Sequence, residues 1–249
     1  MFMKSMNDGI RGLMLKAGHA FDIIESDQNE ELTKSSDNLI ALLTPILKSF
    51  ATDKSMEITN QALQIYGGHG YITDHGMEQL VRDARITPIY EGTNGIQALD
   101  LIGRKFNIHN GLIINQYLDE INKFLEDNKD DKKLHKFIKL FNPSYNDLKE
   151  SIKFIKEIPL NSTQEINSHA VDLLNLFALV AVGFTWLEFI HVSITKTEDQ
   201  DDDFYLAKIQ LGEFYLTKVI LETQKFKNNI ISSGKLYNEF QDKYFEVGI

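Results

Sequence analysis

The sequence has no cysteine, only four prolines, and fewer basic than acidic residues. Without cysteine it has no disulfide framework, no thiolate nucleophile and no zinc site of the cysteine type. The 26 Lys and Arg residues against 36 Asp and Glu residues leave a net charge of −10. Nucleic-acid and anionic-membrane surfaces need concentrated positive charge, so we expect neither. With 43% hydrophobic and 25% charged residues, the 249 residues have the composition of one or two folded domains.

The chain also lacks a long uninterrupted apolar run. Its longest apolar stretch, residues 171–190, contains Asp172, Asn175 and Glu188, which predicts a buried core helix rather than a membrane span. Residues 1–4 show neither the apolar core nor the small-residue cleavage site of a secretory signal. We therefore expect a cytoplasmic protein with no membrane span.

What the sequence has instead is helical periodicity. Apolar residues recur at three- and four-residue spacing along most of the chain, and no alternating run is long enough to indicate a sheet. This pattern predicts an all-α helical bundle with segments at 10–21, 39–47, 58–66, 112–125, 148–158, 166–191 and 204–226. Pro45 is expected to kink the second segment or to mark its first turn. Gly67 is expected to end the third in the left-handed conformation.

Two changes in composition divide the chain. Residues 126–133 contain no apolar side chain, which is typical of a solvated connection between groups of helices. Residues 67–111 contain eight of the fifteen glycines and three of the four arginines. Glycine permits backbone conformations that other residues avoid, and arginine provides a rigid bidentate fork that lysine lacks. We therefore expect the functional geometry to lie within residues 67–111.

Spacing excludes several common site types. The seven histidines never show the HExxH spacing of a zinc protease. The glycines at 67–70 form neither type of nucleotide-binding loop, because no strand precedes them and no Gly-Lys-Ser/Thr follows. Residues 199–203 begin like a calcium loop, but Phe204 stands where glycine is needed and Gln210 where the bidentate glutamate is needed. The sequence predicts no metal site.

A dense motif region follows the third helical segment. Its pattern predicts a glycine turn, a short helix that carries Arg82 and Arg85, and a loop that leads into another helix. Asn94 and Gln97 have the spacing of a capping pair, so we expect that helix to begin near Thr93 or Asn94.

Glu91 lies on this loop, just before the helix. The free N–H groups from Gly92 to Gly95 are able to hold an anionic or carbonyl-bearing ligand. Two interpretations are open at this point. In one, Glu91 is a solvated loop carboxylate and the glycines only turn the chain. In the other, it is a base that Ile89 and Tyr90 shield from water.

Three stretches carry a family resemblance. The sequences QIYGGHGY at 64–71, RDARI at 82–86 and IYEGTNGIQ at 89–97 resemble the C-terminal signature of the acyl-CoA dehydrogenases. Their length and order make the match far more specific than a lone glycine motif.

The resemblance extends over nearly the whole chain. Residues 43–48, 98–105 and 204–208 are similar to the broad subfamily that has an extra C-terminal helical domain. This resemblance implies an up-down four-helix-bundle C-terminal domain at residues 1–108. It implies a second, additional helical domain at residues 109–249.

The resemblance also assigns the chemistry. It implies that Glu91 is the catalytic base, which removes the α-proton of an acyl-CoA thioester while the β-hydrogen leaves as a hydride to the flavin. A carboxylate suits this task because its proton affinity can be moved toward neutrality in a dry site. Gly92 matches the backbone position beside the thioester.

The cofactor implied by the resemblance is FAD. Gln64 and Gly68 match positions that contact its ADP part, commonly on the FAD of a neighbouring subunit. Thr93 and Gly95 match the loop that meets FAD after the base. Arg82 and Arg85 are expected to be structural, paired with Asp83 or other acids.

Family members place a helical domain and a β-barrel domain before this region, and residues 1–9 resemble the interior of the C-terminal helical domain. We therefore expect an N-terminal companion chain, a homo-oligomer, an acyl-CoA substrate and electron-transferring flavoprotein as the acceptor. The alternative is a non-catalytic helical oligomerisation module that derives from such an enzyme.

Overall fold

The computed structural model describes residues 1–26, 29–106, 111–199 and 202–247, and every regular element within these ranges is helical. The all-α prediction is therefore confirmed. The helices are α1 (Phe2–Ser26), α2 (Glu30–Tyr66), α3 (Gly68–Tyr71), α4 (Met77–Ile86), α5 (Asn94–Leu99), α6 (Leu112–Asp127), α7 (His135–Glu157), α8 (Thr163–Ser168), α9 (Ala170–Asp199), α10 (Asp203–Phe214) and α11 (Thr223–Glu239). Short 3-10 turns occupy Thr73–His75, Ile220–Glu222 and Asp242–Glu246, and wider π-type turns extend α5 and α10 at Asp100–Lys105 and Tyr215–Val219.

Helix α2 is longer than predicted, because the segments predicted at 39–47 and 58–66 both lie within it. It begins after Asn29, whose Oδ1 accepts hydrogen bonds from the N–H groups of Glu31 at 3.0 Å and Leu32 at 3.2 Å. Such side-chain capping satisfies N–H groups that have no partner within the helix. One helix therefore joins both predicted segments and ends at the start of the motif region.

Two breaks expected around α2 take a different form. Pro45 lies inside the helix, so it does not mark a first turn. Proline removes one backbone hydrogen bond, and burial of the adjacent Leu42, Leu43 and Ile46 offsets that cost. Gly67 does end the helix with a positive φ of 60°, but its ψ of −145° lies outside the left-handed helical region.

Later boundaries differ where packing overrides local signals. Helix α7 begins at His135, well before the predicted residue 148, and Pro143 lies inside it. The segment predicted at 204–226 is divided between α10 and α11. The charged stretch at 126–133 lies at the connection between α6 and α7, as predicted.

Helix α9 forms the centre of the core. Residues Ala170–Thr197 are long and apolar enough to cross a membrane, with a mean hydropathy of 1.9, yet 83% of that apolar window is buried by the rest of the chain. Phe177 and Trp186 are fully buried within it. This agrees with the predicted core helix.

Helix α1 packs closely against α9. Trp186 Nε1 donates a hydrogen bond to the Ser5 carbonyl oxygen at 3.2 Å. A Cβ at Gly9 would lie 2.6 Å from the same nitrogen, so the close approach requires glycine. Lys16 adds ion pairs with Glu120 at 2.6 Å and Glu188 at 3.0 Å.

One continuous cluster of buried side chains joins helices from both predicted domains. The boundary at 108/109 stays a prediction.

Candidate functional site

The loop between α4 and α5, residues 87–93, carries the predicted base and is called the Glu91 loop below. It leaves α4 through hydrogen bonds from the N–H groups of Ile89, at 3.0 Å, and Tyr90, at 3.3 Å, to the Ile86 carbonyl oxygen. It closes where the Asn94 N–H donates to the Pro88 carbonyl oxygen at 3.1 Å. The two ends of the loop are thus joined by main-chain bonds.

Within this loop, Glu91 has an unusual backbone. Its φ is 55°, the only positive φ of a non-glycine residue in the described part of the chain, and Gly92 follows with φ 83°. A positive φ at a residue with a Cβ costs about 1–3 kcal/mol, and such strain concentrates at functional sites. Gln97 Nε2 supports the conformation by donating to the Glu91 carbonyl oxygen at 3.2 Å.

Helix α2 holds the other side of the loop. Lys48 Nζ donates to the Gly92 carbonyl oxygen at 2.6 Å and to Asn94 Oδ1 at 2.9 Å. Asn94 Nδ2 in turn donates to the Ser49 carbonyl oxygen at 3.1 Å and to Asp53 Oδ1 at 2.7 Å. These four residues, Lys48, Ser49, Asp53 and Asn94, are called the loop anchor.

The predicted start of α5 is confirmed, and its capping differs in detail. Helix α5 begins at Asn94, and Thr93 Oγ1 accepts from the Ile96 N–H at 3.4 Å. Asn94 and Gln97 do not form a capping pair, because Asn94 turns toward α2 and Gln97 turns back to Glu91. Their side chains fix the loop rather than the helix end.

The described residues do not form the apolar shield around Glu91 that one of the two interpretations requires. Glu91 is exposed, and its neighbours Ile89, Tyr90 and Ile96 are 46%, 50% and 55% exposed. Ile89, Tyr90 and Ile96 are near Glu91 in the sequence, but they leave its carboxylate accessible to water. A dry environment for Glu91 therefore requires a further surface to cover this face.

The predicted FAD positions fall into two separate places. Gln64 is exposed near the end of α2, and a Cβ at Gly68 would meet no atom within 4 Å. Thr93 and Gly95 stand at the start of α5, and a Cβ at Gly95 would meet only Thr93 Oγ1, at 4.0 Å. Gln64 follows Lys48 by sixteen positions on α2, which is about 24 Å at 1.5 Å per residue. The structure therefore does not bring the two pairs together within one chain.

Arg82 and Arg85 do not take the structural role expected of them. Both are exposed on α4, and within the described ranges neither forms an ion pair with Asp83 or another acid. Asp83 instead accepts a hydrogen bond from Gln79 Nε2 at 2.6 Å. One turn separates Gln79 from Asp83, so this contact stays within α4 and leaves the arginines facing solvent.

Other candidate sites lie outside this region. The rings of His69 and His75 meet edge to face with centroids 5.2 Å apart, but no group of three or more His, Asp or Glu side chains in the described residues could hold a metal ion. A groove of about 560 Å³ between α1, α9 and α10 includes Asp8, Arg11 and Lys208 but none of the predicted site residues.

Sequence reasoning missed the loop anchor. Lys48 and Asp53 stand on one helix, whereas Asn94 follows them by more than forty positions. A signal was present in the polar residues at 48, 49, 52 and 53, which interrupt the apolar pattern of α2. Only the fold shows what they contact.

Comparison with known proteins assigns the two halves of the chain. Residues 22–106 match the family model of the acyl-CoA dehydrogenase C-terminal domain, and residues 117–240 match that of the acetyl-CoA dehydrogenase C-terminal-like domain. The chain belongs to the acyl-CoA dehydrogenase family. It corresponds to the C-terminal domains of these enzymes, as the resemblance of its motifs implied.

Individual relatives agree with this assignment. The chain is 41% identical to 3-methylmercaptopropionyl-CoA dehydrogenase of Ruegeria pomeroyi over 103 residues, which are 41% of this chain and 17% of that protein. It is 23% identical to a butyryl-CoA dehydrogenase of Syntrophomonas wolfei over 227 residues, which cover 89% of this chain and 37% of the relative.

Two solved acyl-CoA dehydrogenase structures share the fold. One is Caenorhabditis elegans ACDH-11 in complex with C11-CoA, with a TM-score of 0.72 and 20% identity over 92% of this chain and 38% of that one. The other is the Bacillus anthracis enzyme complexed with FAD, with a TM-score of 0.73 and 16% identity over 97% of this chain and 42% of that one. The chain thus spans about two-fifths of the length of these structures.

Proposed function

We propose that this chain supplies the proton-abstracting part of an α,β-dehydrogenation of an acyl-CoA thioester, with Glu91 as the base. It acts together with the polypeptide that provides the remaining length of its relatives, as part of the same chain or as an N-terminal companion. The observation that carries the proposal is the backbone of Glu91, which has a positive φ of 55°. Backbone strain of this kind concentrates at functional sites. A carboxylate that only lies in water needs neither a strained backbone nor hydrogen bonds that hold its main chain in place.

The role of each residue follows from its contacts. Glu91 takes the α-proton from the substrate. The carbonyl oxygen of Gly92 is already bonded to Lys48, so Gly92 would meet a thioester carbonyl through its N–H. A base within reach of one defined proton contributes about 10²–10⁴-fold to the rate.

FAD supplies the acceptor for the β-hydrogen when it is bound. The residues present fit this cofactor in part, because Gly68 and Gly95 leave open space beside the main chain and Gln64 offers an exposed amide. Gln64 lies about 24 Å from Lys48 along α2, and we assign the two pairs of positions to two FAD molecules, as the family resemblance implies. That arrangement requires a homo-oligomer, in which Gln64 and Gly68 serve the flavin of a neighbouring subunit. Electron-transferring flavoprotein is proposed as the electron acceptor.

A non-catalytic oligomerisation module is the second candidate, and an exposed apolar surface fits it as well as it fits the first. Ile65, Tyr71 and Leu80 are 72%, 78% and 53% exposed beside the motif region. Exposed apolar patches of this kind mark surfaces that pack against another protein. Both candidates use such a surface, and only the first also needs Glu91.

Co-expression with a polypeptide that supplies the family's N-terminal helical and β-barrel domains tests the proposal. The first candidate predicts a yellow complex that dehydrogenates acyl-CoA. In it, Glu91→Gln retains the flavin but lowers the turnover number by at least about 10²-fold, because the amide cannot accept the proton. A colourless complex, or an active complex in which Glu91→Gln turns over at the wild-type rate, would contradict it.

A further inference from the structure

Lys48 is bonded unlike the other partly buried lysines of the chain. In the described structure its Nζ has two acceptors, the Gly92 carbonyl oxygen at 2.6 Å and Asn94 Oδ1 at 2.9 Å, and both are uncharged. By contrast, Lys16, Lys54 and Lys208 each place Nζ within 2.6–2.8 Å of a carboxylate oxygen. The Lys48 ammonium therefore forms its hydrogen bonds with the Glu91 loop and with Asn94 rather than with a carboxylate.

The loop anchor also fixes the direction of these bonds. Asn94 Nδ2 donates to the Ser49 carbonyl oxygen and to Asp53 Oδ1, so its amide oxygen is turned toward Lys48. A side-chain amide has two donors and one acceptor oxygen, and here all of them have partners. The position of Nζ, and with it the bond to Gly92, is set by α2.

Two successive peptide groups of the loop are held from opposite sides. The Glu91 carbonyl oxygen accepts from Gln97 Nε2 at 3.2 Å, and the Gly92 carbonyl oxygen accepts from Lys48 Nζ at 2.6 Å. These two carbonyl groups follow the two positive φ angles, of 55° at Glu91 and 83° at Gly92. An unfavourable backbone conformation persists only when surrounding contacts over-determine it.

We propose that Lys48 is a positioning residue that keeps Glu91 in its strained conformation by holding the peptide group after Gly92. The loop anchor itself is independent of catalysis. Its effect on dehydrogenation rests on the proposed function of Glu91, so the loop and the reaction are measured separately.

The first measurement is amide hydrogen exchange on this chain alone. Lys48→Met keeps the methylene stem and removes the ammonium, and we expect residues 89–97 to exchange about tenfold faster or more. Lys54→Met is the matched control, because Lys54 lies on the same helix and pairs with Glu57 at 2.8 Å rather than with the loop. If Lys48→Met unfolds the whole chain, Asn94→Ala, which removes the amide that orients Nζ, is the second variant. Unchanged exchange at 89–97 in the variant that folds would overturn the proposal.

The second measurement is steady-state kinetics of the assembled complex. Lys48→Met should lower kcat by about tenfold or more with KM changed by less than about twofold, because a misplaced base affects the reaction and not substrate binding. Lys48→Arg, which keeps the cation and its donors, should recover part of the loss. Faster amide exchange at residues 89–97 in Lys48→Met together with an unchanged kcat would overturn the positioning role. A freer loop in a complex in which even the wild type is inactive would support the loop anchor and refute the proposed function.

Discussion

Gln97 Nε2 donates a hydrogen bond to the carbonyl oxygen of Glu91 at 3.2 Å, across six residues. The φ of 83° at residue 92 favours glycine, and a Cβ there would also lie 3.1 Å from the same nitrogen. The hydrogen bond from Gln97 and the glycine at residue 92 are therefore parts of the same loop conformation. It places the only described non-glycine residue with positive φ directly before a residue that cannot carry a side chain without strain.

The first prediction concerns that position. Gly92→Ala should destabilise the chain by about 1–3 kcal/mol, because its φ of 83° disfavours a Cβ and Gln97 stands in the way. Chemical denaturation measures the effect. Gly95→Ala is the control: its Cβ would meet only Thr93 Oγ1, at 4.0 Å, and it lies within α5, so stability should stay the same or rise by up to about 1 kcal/mol. Equal effects of the two substitutions would refute the role of the backbone at Gly92.

A second pair of glycines tests the packing of α1 on α9. A Cβ at Gly9 would lie 2.6 Å from both Trp186 Nε1 and Val182 Cγ1, whereas one at Gly18 would meet nothing within 4 Å. Gly9→Ala should therefore cost about 1–3 kcal/mol through overpacking. Gly18→Ala should stabilise the helix by up to about 1 kcal/mol. The fluorescence of the single tryptophan during unfolding reports both, and a stable Gly9→Ala variant with unchanged emission would show that the two helices are not in contact as described.

A third prediction concerns pH. His169 is 1% exposed, its Nε2 has no hydrogen-bond partner among the described residues, and burial lowers its pKa below the ordinary value of 6.5 despite the nearby Glu165 and Asp172. The unfolded chain takes up this proton near pH 6.5, and the folded chain does so only at lower pH. The stabilising contribution is therefore present above about pH 6.5 and is lost as pH falls below it, by up to about 1.4 kcal/mol per pH unit.

The free energy of unfolding, measured between pH 5 and 8, checks this slope. His169→Leu removes the titrating group and should flatten the acid side of the profile, whatever its effect on stability at neutral pH. His19→Gln, at an exposed position in α1, should leave the slope unchanged. A profile for His169→Leu parallel to that of the wild type would mean that the buried imidazole does not titrate in this range.

Local patterns predicted the helical class, the core helix and the start of α5, because apolar periodicity and turn residues act over a few positions. The first-turn alternative for Pro45 and the predicted start of α7 at residue 148 were wrong. Pro45 and Pro143 both lie inside helices, where burial of the flanking residues outweighs the lost backbone bond. Local sequence patterns did not predict the loop anchor, and the reason is a different one. Lys48 and Asn94 are 46 positions apart, and only the antiparallel return of α4 along α2 brings them to 2.9 Å.

The family motif located Glu91, but its conformation and surroundings came from the fold. The sequence suggested that Ile89 and Tyr90 shield the carboxylate, and both prove about half exposed. Apolar residues next to a group in sequence do not cover it unless the chain folds them back. The proposed function of Glu91 therefore needs a covering surface from outside the described residues.

The most direct test of Glu91 as the base isolates the proton step. An acyl-CoA whose β-carbon carries no hydrogen cannot be dehydrogenated, so exchange of its α-hydrogen with deuterated water, followed by nuclear magnetic resonance, reports proton abstraction alone. The assembled complex should catalyse this exchange, and Glu91→Gln should lower its rate by at least about 10²-fold while the flavin stays bound. Exchange at the wild-type rate in Glu91→Gln would contradict the assignment of Glu91 as the base.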